Sequence, residues 1–376
     1  MKSGYKQLGE YIEEVTRTNS DLKYGIDDVR GCSNTKKMMQ TRANLIGRTY
    51  EKFIVLKPGE FVFNRRTSRN GEKIGMAYND TDREYIFTED YVAFRVRDEC
   101  ISELLPEYLY LFFCRSEFDR YARFKSHGSA TEFFNWEDMC AVPFTAPDIE
   151  EQKKIVHAYK VIEDRINLKK RINENLEEQA ISHYKLVLQH CSPELVVQGT
   201  ISDLGEFIRG NIITSSEMIP GNIPVISAGI TPSGYHNQHN VQSPSITISG
   251  SGVNAGYISF HSENIWAADC SFNNNSNYIY SLYVILKSMQ TQITSDLQRG
   301  TAQPHVYPKD INPFGISYPI TSQLKILEKN LKPIFTKISD NSREIRILSE
   351  LLSIILTDVT HNQHLSLSLS LSTRDQ

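Results

Sequence analysis

The sequence predicts an α+β protein: two similar mixed α/β domains, separated by two long helices packed as an antiparallel coiled coil. Three observations predict this fold class. The chain has 376 residues, which suits two domains better than one. Short motifs occur twice in the same order. A long, apolar-periodic stretch follows each set of motifs. A duplicated chain of this kind is expected to have pseudo-two-fold symmetry.

The repeated motifs define the two domains. LGEYI at residues 8–12 recurs as LGEFI at 204–208, and Gly128-Ser129-Ala130 recurs as Gly300-Thr301-Ala302. The Gly128 and Gly300 motifs are 172 residues apart, and the same offset relates Asp138 to Asp310 and Pro147 to Pro319. A constant offset across several motifs indicates a duplication rather than chance similarity.

Each set of motifs leads into a long helix. Asp148 with Glu151 three residues later has the pattern of a capping box, and no Pro or Gly follows until about residue 188. In the second helix, apolar residues alternate spacings of four and three, which is typical of a coiled-coil seam. Pro333 should kink this helix or mark a short break. The predicted seam consists of Ile155, Ile162, Ile166, Leu176, Leu327, Leu331, Ile334, Ile338, Asn341, Ile345, Leu348 and Leu352.

Five segments follow from these patterns. We predict a first globular domain at 1–148, a central helix at 149–190, a second globular domain at 191–320, a C-terminal helix at 321–358 and a disordered, low-complexity tail at 359–376. Within the domains, strands are predicted at 53–56, 61–63, 85–87, 92–96 and 245–248, and helices at 106–123 and 278–297.

Composition excludes several classes of protein. Hydrophobic and charged contents of 40% and 23% are ordinary for a globular protein. The start of the chain lacks the apolar core of a signal peptide, and no apolar run reaches the length of a membrane span. Six scattered cysteines without a C-x-x-C pair indicate reduced thiols. We therefore expect a cytoplasmic protein.

A search for catalytic motifs predicts no catalytic residue and no metal site. The sequence has no phosphate-binding G-x-x-x-x-G-K-[ST] loop. The string Asn312-Pro313-Phe314 lacks the second proline of a methyltransferase active-site loop. His236 and His239 have no neighbouring Cys or carboxylate to complete a metal site. No cofactor is expected on this chain.

The candidate ligand-binding residues are of the kinds that contact nucleic acid. The net charge of −4 argues weakly against DNA, but basic residues cluster in the first domain, next to Asn, Ser and Thr. Arg and Asn recognise base edges, whereas Lys, Ser and Thr contact phosphate. The first-domain candidates are Lys36, Lys37, Arg42, Arg65, Arg66, Arg69 and Lys73. An ordinary solvated loop would explain the same composition.

In the second domain, the glycine-rich stretch 249–257 would let backbone approach a ligand closely. A hairpin turn is the alternative explanation for these glycines. The second-domain candidates are Ser249, Ser251, Asn254, Gln303 and His305.

Taken in order, these motifs resemble the specificity subunits of type I restriction–modification systems. The resemblance covers roughly residues 5 to 358. It rests on KPGEFV at 57–62, the segment 128–138, PDIEEQKKI at 147–155, ISGSG at 248–252, GTAQP at 300–304 and QLKI at 323–326. The chain departs from the family at Ser322-Gln323, where Glu-Gln is usual, and in its Leu-Ser tail.

The resemblance implies a non-catalytic subunit in phage defence, with two target-recognition domains that each bind one half of a bipartite double-stranded DNA target. The helix pair would fix the separation of the half-sites at about one helical turn, ~34 Å. Two modification (methyltransferase) subunits carrying S-adenosylmethionine would dock on the chain, flip out an adenine in each half-site and methylate it. Restriction (motor–nuclease) subunits using ATP and Mg would join some complexes.

Two other classes of function remain open at this stage. A protein-interaction scaffold would place two non-DNA binding modules on a coiled-coil spacer. A lone methyltransferase would need cofactor motifs that the sequence lacks.

Overall fold

The computed structural model describes residues 6–41, 44–67, 73–126, 132–298 and 304–372, with backbone alone over 358–372. The chain divides into two compact units, Met1–Arg165 with Leu348–Gln376, and Ile166–Ile347. Each unit contains one of the globular domains.

The first domain is a set of small antiparallel sheets followed by three helices. Its elements are β1 (Lys6–Gln7), β2 (Ile12–Val15), β3 (Arg30–Cys32), β4 (Met38–Gln40), β5 (Ile54–Leu56), β6 (Phe61–Asn64), β7 (Met76–Tyr78), β8 (Tyr85–Phe87), β9 (Tyr91–Val96), α1 (Pro106–Phe113), α2 (Ser116–Lys125), α3 (Trp136–Cys140) and β10 (Pro143–Phe144), with α4 (Ile149–His190) after them. The strands pair as β2-β9-β6-β7, β5-β8, β3-β4 and β1-β10.

The second domain repeats this plan. Its elements are β11 (Val196–Thr200), α5 (Ile201–Leu204), β12 (Ile208–Arg209), β13 (Ile223–Ile226), β14 (Gly234–His236), β15 (Ser245–Ser249), β16 (Ile258–His261), β17 (Trp266–Ala267), β18 (Cys270–Asn273), α6 (Ile279–Ser288), α7 (Gln290–Leu297), α8 (Pro308–Ile311) and β19 (Gly315–Pro319), with α9 (Thr321–Ser372) after them. The strands pair as β12-β18-β15-β16, β14-β13-β17 and β11-β19.

The matching sheet orders confirm the duplication that the motifs predicted. The four-stranded sheet β2-β9-β6-β7 corresponds strand for strand to β12-β18-β15-β16, and β1-β10 corresponds to β11-β19. The 172-residue offset places the first residue of α3 on that of α8, and the first residue of α4 on that of α9. The domains differ in their smaller sheets: the first domain holds the two-stranded sheets β3-β4 and β5-β8, and the second holds the three-stranded sheet β14-β13-β17.

Each domain has its own hydrophobic core. The first is aromatic: Phe61, Phe94 and Phe113 are fully buried, and the Phe61 and Phe94 rings stack with centroids 5.0 Å apart. The second is mainly aliphatic and is built on β15, β16 and α6, where Ile246, Ile248 and Leu282 are fully buried. The strand β15 is buried along its whole length, including its polar residues Ser245, Thr247 and Ser249.

Two single predicted helices are each two helices in the structure. The segment 106–123 breaks at Arg115, whose backbone is extended and whose buried side chain donates from Nε to the carbonyl of Phe112 at 3.0 Å. This bond satisfies a carbonyl at the end of α1. The segment 278–297 breaks at Met289, between α6 and α7.

The helix α4 begins at Ile149 and the helix α9 begins at Thr321. The Asp148 carboxylate accepts the backbone N–H of Glu151 at 2.9 Å, as an N-cap does. Gln152 is fully buried one residue later and bonds the N–H of Leu105 and the carbonyls of Glu103 and Pro147. These contacts fix the start of α4 against the entry to α1.

The helix α9 is anchored to its domain by a different residue. The Glu328 carboxylate accepts the N–H groups of Tyr280 and Ser281 at the start of α6, at 3.1 and 2.8 Å. A carboxylate is well placed there, because the helix N-terminus is the positive end of its dipole.

Within the second unit, the two long helices pack against each other in antiparallel directions. Lys169 contacts Asn341 and Glu344, at 3.0 and 2.9 Å, whereas Asn173 contacts Ile338 and Ser342. Later residues of α4 therefore contact earlier residues of α9, as in an antiparallel pair. Ala180, Leu327 and Leu331 join the core of the second domain from these helices.

All twelve predicted seam residues are buried or half-buried. Four of them are buried, namely Ile166, Leu327, Leu331 and Asn341, and the side chains of the other eight are half-buried. The helix α9 continues through Pro333 without a break, although proline cannot donate to the carbonyl of Lys329.

The backbone of α9 is helical to Ser372, past the predicted end at 358 and into the segment 359–376 that was expected to be disordered. The physical reason is that the Leu-Ser repeats contain no Pro or Gly, and leucine is a strong helix former.

All six cysteines are free thiols. Burial raises the pKa of Cys32 to about 12 and that of Cys114 to about 11, so these thiols are protonated at neutral pH. Over the described part of the chain, no helix combines the length and apolar character needed to cross a bilayer.

Candidate nucleic-acid interface

Two groups of candidate residues, Arg65 and Arg66 in the first domain and Ser251 in the second, lie on equivalent loops. The first loop follows β6, and the second follows β15. Sheet register makes them equivalent: Asn64 opposes Tyr91 at the end of β6, and Ser249 opposes Cys270 at the end of β15. Residues 65–67 therefore correspond to residues 250–252.

Both loops are held by the same pair of backbone hydrogen bonds. In the first domain, Phe134 N–H donates to Arg65 O at 2.9 Å, and Thr67 N–H donates to Glu132 O at 3.0 Å. In the second, Val306 N–H donates to Gly250 O and Gly252 N–H donates to Pro304 O, both at 3.0 Å. Each loop is thus tied to the segment that follows the repeated Gly-Ser/Thr-Ala motif, whose own residues lie outside the described part of the chain.

Most of the first-domain candidates that the structure describes are exposed. Arg65 is half-buried, Arg66 is exposed and forms an ion pair with Asp90 at 3.2 Å, and Lys73 is exposed. Lys37 is exposed and pairs with Glu163 at 2.6 Å. Arg42 and Arg69 lie outside the described residues.

Lys36 is a correction to the candidate set. It is 4% exposed, its ammonium donates to Ile74 O at 2.8 Å, and it forms an ion pair with Asp119. Burial lowers the pKa of Lys36, and the Asp119 carboxylate opposes that shift. A lysine so enclosed cannot reach phosphate; it holds α2 to the segment before β7.

The second-domain candidates also separate by burial. Ser249 is a further correction, because it is 4% exposed and its hydroxyl donates to Ala228 O at 2.9 Å. Ser251 and Asn254 are half-buried, and the Ser251 hydroxyl donates to the Asp269 carboxylate. His305 is half-buried and stacks on Tyr307, with ring centroids 5.8 Å apart. Gln303 lies outside the described residues.

Sequence reasoning missed three polar residues at these loops. Asp90 pairs with Arg66 in the first domain, and Asp269 pairs with both Ser251 and Arg209 in the second. Arg209 lies about forty positions before its loop and outside any basic cluster, so local composition carries no signal for it. Only the neighbouring positions of β12 and β18 bring it there.

The two loops differ in charge. The first carries Arg66, and Glu132, whose carbonyl accepts the Thr67 N–H of this loop, forms an ion pair with Arg123. The second has the Arg209 guanidinium beside the Tyr307 ring, 5.5 Å from its centroid. Among the described residues, no group of three or more His, Cys, Asp or Glu side chains could hold a metal ion. The loops offer hydrogen-bond donors and aromatic faces, which suit recognition of nucleic acid.

A family model for the type I restriction modification DNA specificity domain matches the chain twice, over residues 21–178 and 193–347. The chain belongs to this family. The two matched stretches each contain one of the loops described above, so each loop is part of a specificity domain.

Two curated relatives agree with this family. The chain is 23% identical over 171 residues to the type I restriction enzyme HindI specificity subunit of Haemophilus influenzae, and 28% identical over 172 residues to a putative type I specificity subunit of Mycoplasma genitalium. The matches span 45% and 40% of this chain, and 36% and 44% of the relatives' lengths. Each match has about the length of one domain with its helix.

The fold has a counterpart among solved structures. The crystal structure of the type I restriction–modification S subunit from M. genitalium superposes with a TM-score of 0.54 at 16% identity, covering 96% of this chain and 97% of that one. At this identity the likeness concerns the fold: two specificity domains with two long helices.

Proposed function

We propose that this chain is the sequence-specific DNA-recognition subunit of a type I restriction–modification complex and binds a bipartite target, one half-site per specificity domain. The observation that carries the proposal is the duplicated loop. Both domains hold residues of the DNA-contacting types on equivalent loops, fixed by the same two backbone hydrogen bonds. Two copies of one rigid recognition platform in one chain suit a target with two short halves.

The long helices have the role of a spacer in this proposal. Their seam is apolar with a polar centre, which favours one register over others. A fixed register would fix the length of the DNA between the half-sites. The base pairs of that spacer would be contacted without sequence preference.

The catalytic groups are assigned to partners. We propose that this chain is non-catalytic and itself binds no S-adenosylmethionine, ATP or Mg, and that two modification subunits dock on its helices and domains. Each would methylate an adenine of the half-site presented by one domain. Restriction subunits would complete the complex in systems that possess them.

The decisive experiment maps DNA methylation in cells that express this chain with its modification subunit, and in cells that express the modification subunit alone. We expect a new methylated-adenine motif, split by a spacer of constant length, that depends on this chain. If the complex assembles and no such motif appears, the proposal is wrong and a protein-interaction scaffold becomes the better explanation.

A further inference from the structure

Each specificity domain has an aspartate at the same place, immediately before one of the two central strands of its four-stranded sheet. Asp90 precedes β9, and Asp269 precedes β18. The pairings Asn64 with Tyr91 and Ser249 with Cys270 make these two aspartates equivalent. Both carboxylates contact the candidate loop of their own domain, and both hold one arginine.

In the first domain the arginine comes from the loop itself. Arg66 Nη2 lies 3.2 Å from Asp90 Oδ1, and the two side chains are 47% and 49% exposed. The backbone of Arg66 forms a β-bridge with Phe133, so the base of the side chain is fixed. The guanidinium is therefore held in place at one side and open to solvent at another.

In the second domain the arginine comes from a neighbouring strand. Ser251, the equivalent of Arg66, gives its hydroxyl to Asp269, and Arg209 of β12 supplies the guanidinium. A side chain on Gly250 would displace that guanidinium from its present position. The side chains of Arg209 and Asp269 are 31% and 26% exposed. The two domains thus form an equivalent Arg–Asp pair with an arginine from a loop in the first domain and from a strand in the second.

The carboxylate makes these arginines better suited to a base than to phosphate. A nearby carboxylate repels a phosphate and cancels much of the attraction between the arginine and the DNA backbone. It also fixes the guanidinium, which reduces the entropy lost when the arginine meets a base edge. A fixed arginine directs its remaining N–H donors at one place, a pattern that suits acceptors on a base edge such as guanine O6 and N7 in the major groove. Arg66 is about half exposed and can offer its planar fork, whereas Arg209 Nη1 is buried, so Arg209 would meet a base through its other N–H groups.

We propose that Arg66 and Arg209 are the specificity-determining arginines of the two half-sites, each held by its aspartate against a base edge. This inference rests on the proposed function. It assigns Asp90 and Asp269 as positioning residues, and it predicts that each arginine governs one base pair in one half-site only.

The test compares methylation motifs in cells that express the modification subunit with wild-type chain, Arg66→Ala, Arg209→Ala, Arg66→Lys or Arg209→Lys. We expect each alanine variant to make one position of one half-site degenerate and to leave the other half-site unchanged. The lysine variants should do the same, because lysine keeps the charge but loses the planar fork. With the assembled complex, affinity for the wild-type site should fall roughly 5- to 150-fold.

Salt dependence separates a base contact from a phosphate contact. Loss of one phosphate contact lowers the slope of log affinity against log salt by about 0.9. Arg66→Ala and Arg209→Ala should leave that slope nearly unchanged. The matched control is Arg120→Ala, which removes an exposed arginine paired with Glu117 at 3.1 Å on α2 and should change neither the motif nor the slope.

Three results would overturn the inference. One is an unchanged motif in the lysine variants, another is a single variant that alters both half-sites, and the third is a slope that falls by about one in either alanine variant. These outcomes differ from failure of the proposed function itself, in which the wild-type chain would produce no bipartite motif and the inference would fall with it.

Discussion

At the scale of single residues, burial decides which basic side chains can contact a ligand. Lys36 and Lys37 are adjacent and equally basic in sequence. The first is enclosed beside Asp119, and the second is exposed and pairs with Glu163 at the surface. Their different surroundings give them different roles, one in stability and one at the surface.

The substitution Lys36→Met should destabilise the first domain by about 3–5 kcal/mol, because it leaves the buried Asp119 carboxylate without a counter-charge. Urea unfolding monitored in that domain measures the loss. Lys37→Met is the matched control and should cost less than about 1 kcal/mol, since its ion pair is exposed. Equal losses from the two variants would contradict the structural role of Lys36.

At the scale of elements, the polar centre of the helix pair is as informative as its apolar seam. Asn341 is 1% exposed and joins Lys169 and Asn173 of the opposite helix. Lys169 and Asn341 are 172 positions apart, the offset of the duplication. Equivalent positions of the two helices therefore meet at this point.

Replacing this residue tests the polar centre. Asn341→Ala should destabilise the helix pair by roughly 1–3 kcal/mol, because Asn173 and Lys169 each lose a buried partner. The change would appear as a lower urea midpoint of the second unit. Asp340→Ala, one residue earlier and exposed, should change stability by less than about 0.5 kcal/mol. No loss for Asn341→Ala would mean that water satisfies these groups.

At the scale of the whole molecule, charge limits how DNA can be held. A net charge of −4 is unusual for a protein that binds DNA unaided, since phosphate contacts supply most non-specific affinity. The proposed modification subunits would then provide much of the positive surface, and this chain would provide base recognition.

The chain alone should therefore bind duplex DNA weakly, and the complex with modification subunits should bind tightly with a steep salt dependence. Fluorescence anisotropy between about 50 and 200 mM salt, the range over which such affinities change most, measures both. An affinity of the complex that does not vary with salt would favour the protein-interaction scaffold instead.

The sequence by itself determined the duplication, the α+β class and the long helices. These features follow from local signals: repeated motifs, the Asp148 cap, a spacing of three and four along the seam, and turns rich in Gly. These signals can be read from the sequence because helix capping, turns and hydrophobic periodicity depend on residues that are only a few positions apart.

Tertiary structure alone decided which polar groups face solvent. It buried Lys36 and Ser249, and it brought Arg209 to a loop about forty residues away through the pairing of β12 with β18. The physical reason is that burial and charge pairing depend on neighbours that are distant in sequence, and strand register sets those neighbours without leaving a local pattern.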